Sequence, residues 1–270
     1  MATDSRSTTD NDAPLVTRAE AAPGVARVVL NRPTAYNALS LQMMTTIQQT
    51  LDAVAEDESV HAVILEGAGK GFCAGHDLKE LRSDPTRNFY ELVFDTCCAL
   101  MTRITTLPQP VIAQVHGIAT AAGCQLVATC DLAVAATDAR LATPGVNIGL
   151  FCSTPMVALS RNVPRKHAME MLLTGEMLDA PTAAEWGLVN RAVPAGELAA
   201  RTLDLACQVA SKSPHVLKIG KKAFYEQLDM DLRDAYRHSA QVMTENMLAR
   251  DAAEGIDAFL EKRTPKWQGC

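Results

Sequence analysis

The chain has 270 residues, 48% hydrophobic and 21% charged, with a net charge of −6. That balance excludes a disordered or fibrous class, and an acidic chain without a basic block makes a poor nucleic-acid binder. No run approaches the ~18 apolar residues of a membrane span, and the length suits one main core plus an appendage.

The opening "MATDSRSTTDNDAP" is polar, holds Asp4, Asp10 and Asp12, and has no apolar segment of the signal-peptide kind. Residues 1–13 are read as a disordered tail. Transit peptides are poor in acids, and the eight cysteines show neither a CxxC pair nor zinc-ligand spacing, so buried reduced thiols, no metal and a cytoplasmic location are expected.

"VARVVLNRP", Val25 to Pro33, reads as a strand stopped by proline. Ser40 is a good N-cap for a helix running to about Glu56. "HAVILEGAGKGF" reads as a second strand closed by a glycine turn, with a helix starting near His76 or Asp77 and a longer one over Phe89 to Thr105. "PVIAQVHG" is a continuous apolar strand of the type buried on both faces. A small-residue helix, about Ala121 to Thr129, and the strand "LAVAA" follow. "TPGVNIGLFCSTP" reads as a loop whose Ser153, Thr154 and Pro155 cap and open a helix. From Pro164 onward the pattern is mainly helical, with three amphipathic stretches between about Glu197 and Lys262. Strand–helix–strand units predict a parallel α/β core over 14–193, with a helical C-terminal part over 194–270.

Two segments share one chemical character. "GKGFCAGHDLKEL" puts a glycine turn before a helix, and "HGIATAAGCQL" puts a bare backbone at a helix start. The first turn of a helix leaves N–H groups without partners, and its dipole favours negative charge there. Two such ends facing one point would bind an oxygen that gains charge during a reaction. Taken singly, each segment equally suits close packing or a tight turn. Ala122 and Gln125, three apart, share a helical face.

At these residues the sequence resembles the enoyl-CoA hydratase/isomerase (crotonase) family. The match runs from about Arg27 to Trp267 through "NRPTAYNALS", "GKGFCAGHDLKEL", "PQPVIAQVHGIATAAGCQLVATCDLAVA", "TPGVNIGL", "LLTGEMLDAPTAAEWGLVNRAVP" and "EGIDAFLEKRTPKW". The resemblance implies a spiral of β-β-α turns with C-terminal helices that pack homotrimers, often paired into hexamers. It implies an acyl-CoA thioester as the partner, coenzyme A being part of the substrate rather than a cofactor. It puts the thioester oxygen between the N–H groups of His76 and Ala122. The stretch Ala74, Gly75, His76, Asp77, Leu78 and Lys79, with Ala122, Gly123 and Gly145, would border the substrate.

Hydratases of that family carry a glutamate where this chain has Gln125, and another in a "PE" pair where this chain has Pro144-Gly145. Gln125 can orient a water but cannot act as a base near neutral pH. The chain also resembles a divergent enoyl-CoA hydratase domain-containing subgroup that shares "AAGCQL" and "TPGVNIGLFCSTP". Low hydratase activity is therefore expected, the alternative being an acyl-CoA-binding or regulatory protein without catalysis. Among replacements for the missing acids, Gln125 with Asn147 holding a water or a substrate carbonyl is preferred. The imidazole of His76 is read as turned away, Asp77 as a helix-start charge, Cys152 as a nucleophile without a visible activator, and Ser153 as a cap. His116 is read as a satisfied core histidine. Lys218, Lys221 and Lys222 are read as a solvated face, with contact to CoA phosphates as the alternative.

Overall fold

The structure is a computed structural model that describes residues 13–270, so the expected tail lies outside it apart from Ala13. In chain order its elements are β1 (Val16–Ala22), β2 (Val25–Leu30), α1 (Leu41–Ala55), β3 (Ala62–Gly67), α2 (Leu78–Ser83), α3 (Arg87–Thr106), β4 (Val111–Val115), β5 (Ile118–Thr120), α4 (Ala122–Thr129), β6 (Leu132–Ala136) and β7 (Arg140–Ala142). They continue as α5 (Pro155–Asn162), α6 (Arg165–Thr174), β8 (Leu178–Asp179), α7 (Ala180–Glu185), β9 (Arg191–Val193), α8 (Leu198–Ala210), α9 (Pro214–Gln227), α10 (Leu232–Met247) and α11 (Arg250–Leu260). Among the described residues no helix is long and apolar enough to cross a membrane.

The strands form two sheets. The larger has the order β1-β2-β3-β4-β6-β9, and the smaller β5-β7-β8. From β4 the chain alternates between them: β4 in the large sheet, β5 in the small, helix α4, then β6, β7 and α5. This alternation is the spiral of β-β-α turns that the family resemblance implies. All pairings from β2 onward in the large sheet are parallel.

Alternation along the strands decides what each face buries. Val28, Leu30, Val63, Leu65, Val111 and Ala113 pack with Met43, Met44, Ile47 and Leu51 of α1 and Leu100 and Ile104 of α3. Each such large side chain contributes roughly 1.5–3 kcal/mol on burial. Val25, Ile64 and Ile112 point to the other face, where Ala206 of α8 covers them. Ser40 caps α1 by accepting from the Met43 N–H at 3.1 Å, as its position predicts.

Four local expectations change. β1, antiparallel to β2, was not anticipated: Thr17, Arg18 and Glu20 sit on a half-exposed edge strand, where polar residues hide the alternation. Within the "TPGVNIGLFCSTP" loop, Pro144–Ile148 form a 3₁₀ turn. Ser153 does not cap α5. Thr154 holds that position without a side-chain bond, and the Ser153 hydroxyl turns back to the Phe151 carbonyl at 3.4 Å. The C-terminal region holds four helices, α8 to α11, rather than three amphipathic stretches. In α9 and α10 no residue is fully buried.

Candidate functional site

The glycine turn runs as a short extended segment between two neighbours. On one side the Ala74 N–H donates to the Tyr36 carbonyl at 3.0 Å, Leu39 to Gly75 at 2.8 Å, and Asp77 to Leu39 at 3.2 Å. On the other, Phe72 donates to His116 at 3.0 Å, Cys73 to Ile118 at 3.1 Å, and Thr120 to Cys73 at 2.9 Å. Leu39 therefore bonds to the residues on either side of His76. In such a ladder the N–H of the intervening residue faces the opposite side. The His76 N–H has no acceptor among the described residues.

The side it faces belongs to the start of α4. A Cβ added to Gly75, whose φ is +94°, would lie 2.9 Å from both the Ala121 Cβ and the Thr120 oxygen, and 3.2 Å from the Ala122 nitrogen. Glycine is required by both the backbone angle and the close approach. At Gly123 the close approach alone requires glycine: a Cβ there would meet the Cys73 carbonyl oxygen at 2.1 Å. Ala121 precedes the helix at φ 50°, ψ −118°, a conformation that favours glycine and costs about 1–3 kcal/mol. Its N–H is satisfied by the Ala142 carbonyl at 2.9 Å, but the Ala122 N–H has no acceptor among the described residues. Every residue of α4 is buried, so this helix start carries an unmet donor away from bulk water.

Polar contacts lock the turn. Asn37, fully buried at φ 54°, accepts from the Arg32 N–H at 2.9 Å and donates to the carbonyls of Ala68 at 2.9 Å, Gly71 at 2.9 Å and Phe72 at 3.1 Å. Asp77 caps α2 by accepting from the Lys79 and Glu80 N–H groups at 3.0 and 3.2 Å, and pairs with Arg32 at 2.6 Å. Burial raises the Asp77 carboxyl pKa, but the Arg32 and backbone donors outweigh this and hold it below its ordinary value. This makes Asp77 a cap and clamp, as its position predicts. Asn37 was not singled out from the sequence. Asparagine before a helix cap, in "NALS", is its signal, but its partners lie more than thirty residues away.

The imidazole of His76 is largely buried and meets Phe94 of α3 edge-on, with ring centroids 5.4 Å apart. Burial lowers its pKa to about 4, so the ring is neutral. Its Nε2 is buried with no hydrogen-bond partner among the described residues. Gln125, 4% exposed, receives one long contact, the Cys97 S–H at 3.9 Å from Oε1. Burial pushes the thiols of Cys73, Cys97 and Cys124 up to about 12 and also raises that of Cys152. None is an activated nucleophile.

Asn147 is exposed, and its amide turns to the Gly175 carbonyl at 3.5 Å; no hydrogen bond joins it to Gln125. Gly145 is buried, and a Cβ there would lie 2.7 Å from the Leu150 carbonyl oxygen and 2.9 Å from the Cys152 sulfur. Ala74 is half-buried, whereas Leu78 and Lys79 are exposed along the outer rim of the turn.

Two readings outside this cluster are corrected. Lys221 is not part of a solvated face. Its ammonium pairs with Asp131 at 2.6 Å and donates to the carbonyls of Ile104 and Gln109 at 2.8 and 3.1 Å, because Asp131 ends the buried turn beneath α9. Lys218 and Lys222 are exposed. His116 is half-buried rather than in the core, and its Nε2 meets the Gly69 carbonyl at 3.0 Å where β4 ends. Among the described residues no group of three or more His, Cys, Asp or Glu is placed to hold a metal.

The enoyl-CoA hydratase/isomerase family pattern matches residues 20–270. Over 244 residues the chain is 48% identical to "Enoyl-CoA hydratase domain-containing protein 3, mitochondrial" of Xenopus laevis, covering 90% of this chain and 83% of that one. The human protein of the same name is 47% identical over 254 residues, covering 94% and 84%. A crystal structure of an enoyl-CoA hydratase from Mycobacterium smegmatis superposes with a TM-score of 0.92 at 51% identity, covering 94% of this chain and 99% of that one. The mitochondrial names overturn the expected cytoplasmic location and point to the mitochondrion. Reduced buried thiols do not tell one reducing compartment from another.

Proposed function

The chain belongs to the enoyl-CoA hydratase/isomerase family, and from that premise we propose that it binds an acyl-CoA thioester with the carbonyl oxygen between the N–H groups of His76 and Ala122. The observation that supports this most directly is a pair of backbone donors without acceptors among the described residues, one in the glycine turn and one at the buried start of α4, on segments in contact at Gly75. Such donors act on the charge that develops on the oxygen as the α-carbon loses a proton to solvent hydroxide or a buffer base, and removal of one typically costs about 10²–10³-fold in rate. Ala74, Gly75, Asp77, Leu78 and Lys79 would line the thioester and the arm beyond it, with Gly123 and Gly145 on the α4 side. Coenzyme A enters as part of the substrate.

The reaction is limited by what stands where hydratases have acids. Gln125 is a neutral amide, and Gly145 carries no side chain. General acid–base catalysis contributes roughly 10²–10⁴-fold, so water addition to crotonyl-CoA is slow. The test is that hydration, together with transfer of solvent deuterium to the α-carbon of saturated acyl-CoAs. Exchange with slow hydration is expected, and turnover typical of ordinary hydratases would refute it. A second reading, acyl-CoA binding without catalysis, is favoured by the Cys152 sulfur and Leu150 carbonyl crowding Gly145. It is established if acyl-CoA binds but no exchange occurs.

The functional unit is a homotrimer or hexamer. Supporting this, α9 to α11 expose Phe224, Leu232, Tyr236, Met243, Phe259 and Leu260, and a cleft of about 330 Å³ lies between α9 and α10. Apolar area of this extent is unusual on a monomer. Sedimentation at micromolar concentration tests it, a monomer being the adverse result.

A further inference from the structure

A parallel ladder joins the glycine turn to β5 and then stops. Cys73 pairs with Ala119, its N–H donating to the Ile118 carbonyl at 3.1 Å and its carbonyl accepting from the Thr120 N–H at 2.9 Å. One more step of that pattern would send the Gly75 N–H to the Thr120 carbonyl and the Ala122 N–H to the Gly75 carbonyl. Neither bond is present among the described residues. The Gly75 carbonyl is taken by the Leu39 N–H at 2.8 Å, and the Gly75 N–H turns to the Cys73 sulfur. Gly75 at φ +94° and Ala121 at φ 50° bend the two chains at the same level. The bend at Gly75 shifts the alternation of its strand by one residue, so the His76 N–H faces α4.

One side-chain bond spans this break. The Thr120 hydroxyl, on a residue 7% exposed, donates to the Ala74 carbonyl at 3.0 Å. Among the described residues it is the one side-chain hydrogen bond between residues 72–78 and residues 117–123. It joins the residue before Gly75 to the residue before Ala121, the two points where the chains bend. Other bonds set directions. The N–H and C=O of one peptide group point opposite ways, so the Leu39 bond to the Gly75 carbonyl aims the His76 N–H. The Ala121 N–H, bonded to Ala142 at 2.9 Å, anchors the start of α4. Contact at Gly75 limits how close the two segments come. Past the Thr120–Cys73 backbone bond, the Thr120 hydroxyl keeps them from parting.

We propose, on the basis of the acyl-CoA reading above, that Thr120 is a positioning residue whose hydroxyl holds the N–H groups of His76 and Ala122 at the separation at which both reach one thioester oxygen. The hydroxyl is committed to Ala74 and acts through the backbone, not on the substrate. Valine has nearly the same shape but cannot donate, which leaves the Ala74 carbonyl without its partner. Donors fixed in advance stabilise developing charge because nothing has to move when it appears. A wider gap therefore weakens the pull on the carbonyl more than it weakens binding, which draws on contacts along the whole ester.

The experiment is infrared difference spectroscopy of butyryl-CoA, isotope-labelled at the thioester carbonyl, bound to the purified protein, with the dissociation constant measured alongside. Two donors on the oxygen lower its stretching frequency whether or not turnover follows. The unaltered protein is expected to show that lowering, and Thr120→Ser, which keeps the hydroxyl, to retain it. Thr120→Val is expected to lose half of it or more while affinity changes by less than about threefold, and α-deuterium exchange to fall about tenfold, since small misplacements at a reacting centre cost rate steeply. Thr120→Ala lacks the same hydroxyl without added bulk and serves where the valine variant does not fold. A purely structural role would move the thermal midpoint and leave the stretch in place. An undiminished lowering in the hydroxyl-free variants, or its loss in Thr120→Ser, overturns the positioning role and leaves the acyl-CoA reading intact. Binding to the unaltered protein without any lowering overturns the placement of the oxygen and this inference with it. Absence of binding overturns the acyl-CoA reading itself.

Discussion

The sulfur of Cys152 stands 2.9 Å from where a side chain on Gly145 would begin, and the Leu150 carbonyl closes the space at 2.7 Å. Where the family resemblance puts the second acid of a hydratase, the loop therefore leaves no room for a side chain to begin.

Restoring both acids should accordingly fail through packing rather than chemistry. Gly145→Glu forces the 145–152 loop apart, and overpacking of this kind costs typically 1–3 kcal/mol. Its urea midpoint is expected to drop. Adding Cys152→Gly should recover part of the loss, since it removes the sulfur clash but not the backbone one. Gln125→Glu alone meets no such obstacle and is the variant in which crotonyl-CoA hydration should rise. Unchanged stability of Gly145→Glu would show that the loop opens freely.

Asn37 is the second point of leverage. Replacement by alanine strands the Ala68, Gly71 and Phe72 carbonyls and the Arg32 N–H, all at the base of the glycine turn. Buried groups left unpaired cost about 1–3 kcal/mol each when water cannot replace the partner. With partial relaxation, a loss of roughly 2–4 kcal/mol is expected. Hydrogen exchange should rise first at Phe72 and Cys73. Asn37→Gly relieves the φ of 54° yet supplies none of the bonds, so it should regain at most about 1–2 kcal/mol over alanine and stay well below the native protein.

Most of the architecture was readable because it is local. "SLQMMTTI" carries a cap and a helical stripe, and "PVIAQV" is apolar on both faces. The donors proposed at 76 and 122 came from the family resemblance, since runs of glycine and alanine by themselves equally mark tight packing. What escaped depends on partners far apart in the chain. Nothing in "NALS" says that Asn37 reaches Gly71 and Phe72, and nothing in "KKAF" says that Lys221 reaches Asp131, ninety residues earlier. Asn147 misled for the same reason: its neighbour is Gly175, which only the packing of α6 brings near.

Two adjacent residues should leave separate marks on stability as pH falls. His76 has a folded pKa of about 4 against 6.5 for the free side chain. Below pH 6.5 the unfolded chain binds a proton that the folded one refuses, so stability declines from pH 6.5 to 4, by at most about 3 kcal/mol, and then levels. Asp77 acts in the same direction but at lower pH, its carboxyl being held low by Arg32 and backbone donors despite burial. Its contribution is complete above the ordinary carboxylate pKa and is lost only as pH drops through its lowered value. Denaturant titrations from pH 7 to 3 should show the first decline vanish in His76→Gln while the second persists. A wild-type curve flat between pH 6.5 and 4 would contradict the burial of the ring.

The buried pair of Lys221 and Asp131 gives the last prediction. Burial lowers the lysine pKa, opposed by the attraction of Asp131. Tyr225 also donates to Asp131 at 3.0 Å, and the Val111 N–H does so at 2.7 Å, so one carboxylate ties α9 to the start of β4. Lys221→Met leaves that carboxylate buried without its cation and strands the Ile104 and Gln109 carbonyls, a change that typically costs 3–5 kcal/mol. The joint variant Lys221→Met with Asp131→Asn should be more stable than Lys221→Met alone, because the amide still accepts from Val111 without carrying charge. If Lys221 served a CoA phosphate instead, Lys221→Met would weaken acyl-CoA binding most at low ionic strength and leave the thermal midpoint near its original value. The 2.6 Å contact predicts the reverse order: a large drop in thermal midpoint, with ligand affinity following only as the fold is lost.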